Sequence, residues 1–276
     1  MQQDQELMLE YEEKIEEAWE KRGEDISDYA LYINKILELL DKGKLRVAFK
    51  EKDSWQVNGW VKKAIVLSFK IKSSVLITNG PQNSNWFDKI PLKFVDWTSQ
   101  QFEEQNLRAV PGSIVRYSAY LSKNVVLMPC FVNIGAYIGD NTMIDTMATV
   151  GSCAQIGKNC HISSSVCIAG VLEPLQANPV IIEDNCFIGA GSQIAEGVIV
   201  EEGSVIAMGV FISASTRIID RETGTISYGR VPKYSVVVSG NAPAKDGEPS
   251  LYAAIIVKKI DEKTREKTSI NDLLRS

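Results

Sequence analysis

The sequence predicts a mainly β protein whose centre is a parallel β-helix, preceded by an α-helical (α+β) module and followed by a short extension of strand and helix. Between residues 114 and 223 an aliphatic side chain recurs at every sixth position, apart from Tyr120 and one break. A side chain of small or modest size usually stands four positions after it. The chain outside the central segment lacks this period. We therefore divide the chain into residues 1–107, 108–240 and 241–276.

A period of six is typical of a parallel β-helix built from hexapeptides, because helices repeat at 3.6 residues and ordinary strands at 2. Each hexapeptide forms one side of a triangular coil, and three of them close a turn of about 18 residues. The aliphatic residue points to the axis, and glycine or asparagine suits the corner. The seventeen positions, which predict between five and six coils, are Ile114, Tyr120, Val126, Val132, Ile138, Ile144, Val150, Ile156, Ile162, Ile168, Ile182, Ile188, Ile194, Val200, Ile206, Ile212 and Ile218.

The N-terminal module, residues 1–107, is expected to cap one open end of the β-helix. Residues 45–49 alternate like a strand, and residues 55–57 can return as its partner. A polar loop is predicted over residues 79–85. Apolar residues at helical spacing predict three helices, over residues 4–22, 27–42 and 60–69.

The β-helix, residues 108–240, is interrupted between Ile168 and Ile182, which are two residues further apart than two hexapeptides. Pro174 and Pro179 lie in this interval and cannot donate to a strand ladder, so the chain must leave the coil. Loops that leave a rigid scaffold often contact ligands. The alternative is a neutral surface insertion.

The C-terminal extension, residues 241–276, shows no six-residue rhythm. We predict a strand over residues 251–257, a charged turn over residues 258–267 and a short helix over residues 269–274.

Charge and composition argue against several classes of protein. The formal net charge of −5 and the isoelectric point of about 5.2 argue against nucleic acid or an anionic membrane as the main partner. No signal-peptide pattern opens the chain, and it has no apolar run of about 18 residues, so we expect a cytoplasmic protein. No P-loop, dinucleotide fingerprint or nucleophile elbow is present.

The five cysteines all lie in the repeat region, and three of them occupy the small inward position. We interpret them as small buried side chains that stay reduced. No CxxC motif and no set of Cys/His pairs at the spacing of zinc ligands occurs, so no metal site is predicted. The five are Cys130, Cys153, Cys160, Cys167 and Cys186.

Three polar residues are candidates for chemistry. Asp145 follows the inward Ile144, where glycine or alanine is more common, so its carboxylate should project from a corner. Arg108 lies just before the first coil and could bind a substrate carboxylate in bidentate fashion. His161, the only histidine, falls at an outward position. Each of the three could instead be an ordinary solvated side chain. The flat outer faces of such a β-helix suit an extended ligand, such as the pantetheine arm of an acyl-CoA.

Five stretches of the chain are long and distinctive: DTMATVGSCAQIGKN at 145–159, GVLEPLQANP at 170–179, IIEDNCFIGA at 181–190, DRETG at 220–224 and VPKYSVVVSGN at 231–241. They resemble the 2,3,4,5-tetrahydropyridine-2,6-dicarboxylate N-succinyltransferase family. The resemblance extends over nearly the whole chain, including the N-terminal module. The motifs are long and specific, whereas the hexapeptide rhythm alone indicates only the wider acyltransferase superfamily.

The resemblance implies a left-handed β-helix assembled as a homotrimer, with active sites between adjacent subunits. It also implies transfer of succinyl from succinyl-CoA, as co-substrate, to tetrahydrodipicolinate in its hydrated, ring-opened form. The products would be N-succinyl-2-amino-6-oxopimelate and CoA, in diaminopimelate and lysine biosynthesis. No tightly bound cofactor and no metal are expected.

The resemblance also implies roles for particular residues. Arg108 and Asp145 would bind the dicarboxylate substrate, and Asp145 would hold or deprotonate the attacking amine. Gln193 stands where the family typically has a glutamate facing the substrate, and glutamine cannot take a proton at neutral pH. Met147 replaces a usual tryptophan.

For the acyl-CoA we expect backbone contacts with the pantetheine around Gly189, Ala207 and Gly209. Its phosphates could bind basic side chains near the C-terminus, which could equally be ordinary exposed charges: Lys245, Lys258, Lys259 and Arg265.

Two other functions stay open at this point. One is a related acetyltransferase, which a comparison of acyl donors would distinguish. The other is a non-enzymatic scaffold, since some hexapeptide proteins lack catalytic residues.

Overall fold

The computed structural model describes residues 2–78, 84–244 and 248–274. Most of the predicted polar loop at 79–85 therefore lies outside the described residues, as does Lys245. The helices are α1 (Gln2–Glu20), α2 (Ala30–Asp41), α3 (Gly59–Ile71), α4 (Ser99–Gln105), α5 (Glu262–Lys267) and α6 (Ile270–Leu274).

The N-terminal module is built on three helices, as predicted. α1, α2 and α3 pack around fully buried side chains that include Ile15, Ile36 and Ile65. A one-turn 3₁₀ helix at Ser27–Tyr29 leads into α2. The module also contains two antiparallel pairs, β1 (Ala48–Glu51) with β2 (Ser54–Val57) and β3 (Val75–Ile77) with β4 (Trp86–Asp88). The first pair was predicted, although the prediction began its first strand about three residues too early. The second pair and α4 were not predicted.

The centre of the chain is a parallel β-helix with three faces, which the chain visits in turn. Face 1 contains β5 (Arg108–Ala109), β8 (Val126–Leu127), β11 (Met143–Ile144), β14 (His161–Ile162), β17 (Phe187–Ile188), β20 (Val205–Ile206) and β25 (Ser235–Ala242). Face 2 contains β6 (Ile114–Val115), β9 (Phe131–Val132), β12 (Thr149–Val150), β15 (Cys167–Ile168), β18 (Gln193–Ile194) and β21 (Phe211–Ile212). Face 3 contains β7 (Tyr120–Leu121), β10 (Tyr137–Ile138), β13 (Gln155–Ile156), β16 (Ile181–Ile182), β19 (Ile199–Val200) and β24 (Arg230–Val231).

The predicted inward positions are confirmed from Val132 onward, since every one of them is at most 1% exposed. The first three predicted positions are wrong by one residue. Only five residues separate the inward Leu127 from Val132, so the first coil pairs with the second at a spacing of 17 residues. The residues predicted to point inward, Ile114, Tyr120 and Val126, are half-buried, and the inward side chains are their successors Val115, Leu121 and Leu127.

Asparagine forms a ladder along the corner between faces 3 and 1, which we call the 1/3 edge. These asparagines have positive φ, which asparagine tolerates better than most residues. Each Nδ2 donates to the Oδ1 of the next coil at 2.8 to 3.1 Å, from Asn124 through Asn141 and Asn159 to Asn185. The ladder pairs side chains that would otherwise compete with the backbone, and it holds successive coils in register.

Two of the three faces are partly covered by other elements. The module covers face 3, where Arg46 Nε donates to the buried Gln155 Oε1 at 3.0 Å. The upper part of face 1 is covered by the C-terminal helices, with Leu273 packed on the outward side chains Val205 and Val236. Near the first coil, three aromatic residues pack against the β-helix core: Phe94, Trp97 and Phe102. The lower part of face 1, and face 2, stay open in the described chain.

The C-terminal extension continues face 1. β25 pairs with β26 (Leu251–Lys259), which pairs in turn with β22 (Ile218–Asp220), and β23 (Ile226–Ser227) ends the sheet. The predicted division between residues 240 and 241 falls inside β25. The predicted charged turn is wrong beyond β26, because Asp261 caps α5 by accepting a hydrogen bond from the Thr264 N–H at 2.7 Å.

Four of the five cysteines are buried, as predicted, and Cys167 is half-buried on face 2. Burial raises the pKa of the thiols of Cys130 and Cys153 to about 12. Because the thiolate is the reactive form, these two side chains are inert packing groups.

The predicted excursion after Ile168 is present and docks on the module. Lys62 of α3 is fully buried, and its Nζ donates to the carbonyl oxygens of Leu175 at 2.9 Å and Ala177 at 2.6 Å. Burial lowers the pKa of Lys62. Leu172 adds an apolar contact with the core of the module. One buried ammonium group thus fixes the excursion to α3.

Lys62→Met should therefore destabilise the protein by about 2 kcal/mol, because two partly buried carbonyl groups lose their charged donor. The loss is smaller than the sum of both bonds, since methionine no longer has to bury a charge. Urea unfolding measures it as a lower midpoint at unchanged slope. Lys63→Met is the matched control, because the Lys63–Glu16 ion pair is partly exposed and should contribute less than about 1 kcal/mol. A Lys62→Met midpoint equal to that of the wild type would show that the Lys62 bonds add no net stability.

Candidate active site on the open face

Asp145 lies at the corner between faces 1 and 2, the 1/2 edge, directly after β11. Its backbone N–H donates to the Ile162 carbonyl at 2.9 Å, which fixes the residue to the next coil. Its Oδ1 accepts hydrogen bonds from the Thr146 N–H at 2.7 Å and the Thr146 hydroxyl at 3.2 Å. The Thr146 N–H, with the adjacent His161 as a smaller contribution, holds the pKa of the Asp145 carboxyl below its usual range. The side chain is 29% exposed. The structure thus presents an ionised carboxylate at an open corner, as predicted.

His161 stands beside this carboxylate in the next coil. Its Nε2 lies 3.5 Å from Asp145 Oδ2, and its ring packs edge-on against Phe187 with centroids 5.4 Å apart. The Nε2 atom is buried. The outward placement was predicted, but the contact with Asp145 was not.

Arg108 is the first residue of β5, the lowest strand of face 1, and is exposed. Its guanidinium forms no hydrogen bond or ion pair with any residue that the structure describes. Two strand spacings, about 10 Å, separate β5 from β11. The outward side chains between Arg108 and His161 are Val126 and Met143, both half-buried. We call this part of face 1 the open strip. The Arg108 guanidinium lies at one end, the Asp145 carboxylate and His161 lie at the other, and the apolar side chains of Val126 and Met143 lie between them.

The 1/2 edge above Asp145 is nearly free of side chains. Ser163, Gly189 and Ala207 occupy the position of Asp145 in the following coils, over about 14 Å. A Cβ at Gly189 would lie 2.4 Å from the Met208 nitrogen, so the close stacking requires glycine. Gly209 has a φ of +68° and open space around its Cα. The structure thus brings the three predicted pantetheine contacts to the same edge as Asp145. The N–H groups of all three are already donated within the β-helix, and Ser192 already donates to the carbonyl oxygens of Gly189 and Ala207. The smooth edge itself is therefore what this segment offers to an extended ligand.

Gln193 lies on face 2, not on face 1. It is the exposed outward residue of β18, between Cys167 and Phe211. The structure therefore brings Arg108 and Asp145 together on one face and places Gln193 on another face of the same chain. Next to the turn at Met147, an apolar cavity of about 230 Å³ opens along face 2; its lining includes Ile114, Pro129, Phe131 and Met147.

The basic residues predicted to meet phosphates are not gathered at the 1/2 edge. Lys259 Nζ donates to Asp220 Oδ2 at 2.6 Å, and Arg265 donates to the Asn185 carbonyl at 3.2 Å on the 1/3 edge. Lys258 is half-buried in β26. Lys245 lies outside the described residues. Within residues 2–78, 84–244 and 248–274, no group of three or more His, Cys, Asp or Glu side chains could hold a metal ion.

Comparison with known proteins extends over the whole chain. Residues 10–71 match the family model described as tetrahydrodipicolinate N-succinyltransferase N-terminal. Residues 135–170 match the bacterial transferase hexapeptide, and residues 179–214 match the hexapeptide repeat of succinyl-transferase.

Curated relatives named 2,3,4,5-tetrahydropyridine-2,6-dicarboxylate N-succinyltransferase match at high identity. The protein from Methylorubrum populi is 58% identical over 96% of this chain and 98% of its own length. The protein from Acinetobacter baylyi is 58% identical over 95% of this chain and 97% of its own length. The protein from Caulobacter vibrioides is 55% identical over 97% of this chain and 100% of its own length.

A crystal structure from Campylobacter jejuni, described as a 2,3,4,5-tetrahydropyridine-2-carboxylate N-succinyltransferase, superposes with a TM-score of 0.58. It is 17% identical and covers 81% of this chain and 62% of its own, so it supports the fold alone. The hexapeptide models and this neighbour confirm the left-handed β-helix with its N-terminal helical module. With relatives more than half identical from end to end, the chain belongs to the 2,3,4,5-tetrahydropyridine-2,6-dicarboxylate N-succinyltransferase family.

Proposed function

We propose that this protein is an N-succinyltransferase that moves the succinyl group of succinyl-CoA to the amine of hydrated, ring-opened tetrahydrodipicolinate. The products are N-succinyl-2-amino-6-oxopimelate and CoA, and the reaction belongs to diaminopimelate and lysine biosynthesis. The observation that carries this function is the open strip, with Arg108 and Asp145 at its two ends, in a chain that matches enzymes of this name throughout its length.

The chemistry of the open strip fits an amino dicarboxylate. The Arg108 guanidinium would take one substrate carboxylate in a bidentate pair. The Asp145 carboxylate, whose pKa lies below its usual range, is ionised at neutral pH and would hold the amine. The half-buried Val126 and Met143 would contact the carbon chain between them. The substrate amine is thereby directed to the 1/2 edge, where the thioester would lie.

We further propose a homotrimer with its active sites between subunits. Gln193 could then face the Asp145 of the neighbouring subunit, because in its own chain it projects from face 2, two coils above Asp145. Face 2 and the adjoining 1/2 edge support this arrangement, because they carry exposed or half-buried apolar side chains that a partner would cover: Ile114, Phe131 and Phe211 on the face, and Met147 and Met208 at the edge. In a ring of three subunits with closed symmetry, every subunit contributes this face to a contact, so no copy of the face stays exposed.

Succinyl-CoA is the co-substrate, and we propose no tightly bound cofactor and no metal. Gly189, Ala207 and Gly209 would lie along the pantetheine. The proposed phosphate ligands are Lys245, Lys258, Lys259 and Arg265. Lys259 has the weakest support of the four, because Asp220 already neutralises its charge.

No helix in the described part of the chain is long and apolar enough to cross a membrane. We propose a cytoplasmic location.

Release of CoA, detected with a thiol reagent, tests the function. It should require succinyl-CoA and the cyclic dicarboxylate together. Turnover with acetyl-CoA and none with succinyl-CoA would favour the related acetyltransferase. Absence of CoA release with either donor, from a folded protein, would favour a scaffold.

A further inference from the structure

The contact between Asp145 and His161 selects one form of the imidazole ring. Nε2 is buried 3.5 Å from Asp145 Oδ2 and forms no well-aligned hydrogen bond within the described chain. A carboxylate at this distance stabilises the tautomer that carries hydrogen on Nε2. Contacts of this kind are often long before substrate binds. The lone pair of the neutral ring therefore lies on Nδ1.

The other nitrogen, Nδ1, faces the open side of the site. It is accessible to solvent and forms no hydrogen bond with any described residue, and the side chain is 42% exposed. Phe187 packs edge-on against the ring, and Met143 precedes His161 in the same outward column. Packing thus orients the ring with one nitrogen toward Asp145 and the other available to a ligand.

Among the described residues that form the site, the other polar side chains are poor proton acceptors. The Thr146 N–H keeps the pKa of Asp145 below its usual range, which makes this carboxylate a weak base at neutral pH. Gln193 cannot take a proton. Imidazole is the side chain that most often accepts a proton in this pH range, and His161 is the only histidine in the chain.

We propose that His161 is the general base of the succinyl transfer, with Nδ1 accepting the proton of the attacking amine while Asp145 orients the ring and holds the amine. The proposal rests on the function proposed above. As the N–C bond forms and the thioester C–S bond breaks, one proton leaves the amine nitrogen for Nδ1. It then passes to the departing CoA thiolate, which leaves as the free thiol.

His161→Gln tests this proposal, because glutamine keeps a donor near the position of Nε2 but has no basic nitrogen. We expect kcat to fall about 100-fold, with KM for both substrates changed less than about threefold. His161→Ala should lose as much activity and regain part of it with added free imidazole, whereas His161→Gln should not. Ile199→Ala, a half-buried outward position on face 3, is the matched control and should keep wild-type kcat.

The unmodified enzyme gives a second readout that needs no variant. Diethyl pyrocarbonate should abolish activity in step with modification of one histidine per chain, and hydroxylamine should restore it. The dicarboxylate substrate should slow the modification. A folded His161→Gln variant with more than a third of the wild-type kcat, or full activity after complete modification, would overturn the role of His161. A wild-type protein that never releases CoA would instead refute the function itself.

Discussion

Asp145→Asn should lower kcat/KM for the cyclic dicarboxylate by about 10³-fold, equivalent to about 4 kcal/mol of transition-state stabilisation. The variant loses the negative charge that holds the amine and orients His161. The fold should persist, because the amide oxygen of asparagine can still accept the hydrogen bond from the Thr146 N–H. CoA release at saturating succinyl-CoA measures the effect.

Asp184→Asn is the matched control, since Asp184 is also a corner aspartate but lies on the 1/3 edge. Its Oδ1 accepts from the Lys158 N–H at 2.8 Å, a bond that asparagine can keep. Activity within about twofold of wild type is expected for this variant. Asp145→Asn with more than a tenth of wild-type activity would remove Asp145 from the chemistry.

Arg108→Met should raise KM for the cyclic dicarboxylate about 100-fold with a much smaller change in kcat. A charge-assisted bidentate pair contributes about 1.5 to 3 kcal/mol, and its loss affects ground state and transition state alike. Methionine keeps most of the apolar length of the side chain. KM for succinyl-CoA should not change, because Arg108 in β5 lies four strands below Gly189, the lowest residue proposed to contact the pantetheine.

The control for Arg108 is Arg230→Met. Arg230 is likewise the first residue of its strand, on face 3, where its guanidinium bonds Glu201. Its loss should leave both KM values within about twofold of wild type. An unchanged KM for the dicarboxylate in Arg108→Met would show that the substrate carboxylate binds elsewhere.

The β-helix could be predicted because an inward isoleucine or valine recurs at a fixed spacing of six from Val132 onward, apart from one break. The first coil could not be phased from the sequence. Ile114 and Val115 are adjacent aliphatic residues, as are Val126 and Leu127, so either member of each pair satisfies the pattern. Burial selects the second member because the corner before Val132 is one residue shorter. Which residue of each pair points inward thus depends on the number of residues in the corner, and the six-residue pattern does not give that number.

Asp145 was predictable because a carboxylate breaks the rhythm at a place where small residues are usual. Its contact with His161 was not predicted, although the 18-residue register places His161 beside Met143 in the next coil. Counting in coils instead of hexapeptides would have brought the two together. In the same register Gly189 occupies the position of Asp145 two coils higher. Gln193 lies four residues after Gly189, past the corner and on face 2. α5 was missed because its cap, Asp261, lies in a run of charges that masks the start of a helix.

The most direct test of a site shared between subunits mixes two variants. Asp145→Asn is impaired on face 1, and Gln193→Arg should be impaired on face 2, since it places a cation where the amine must bind. Refolded together in equal amounts, the two should recover about one quarter of wild-type activity, because a quarter of the sites pair an intact face 1 with an intact face 2. Each variant refolded alone should stay inactive. A mixture no more active than the variants alone, or a fully active Gln193→Arg, would contradict a site formed by face 1 of one subunit and face 2 of the next.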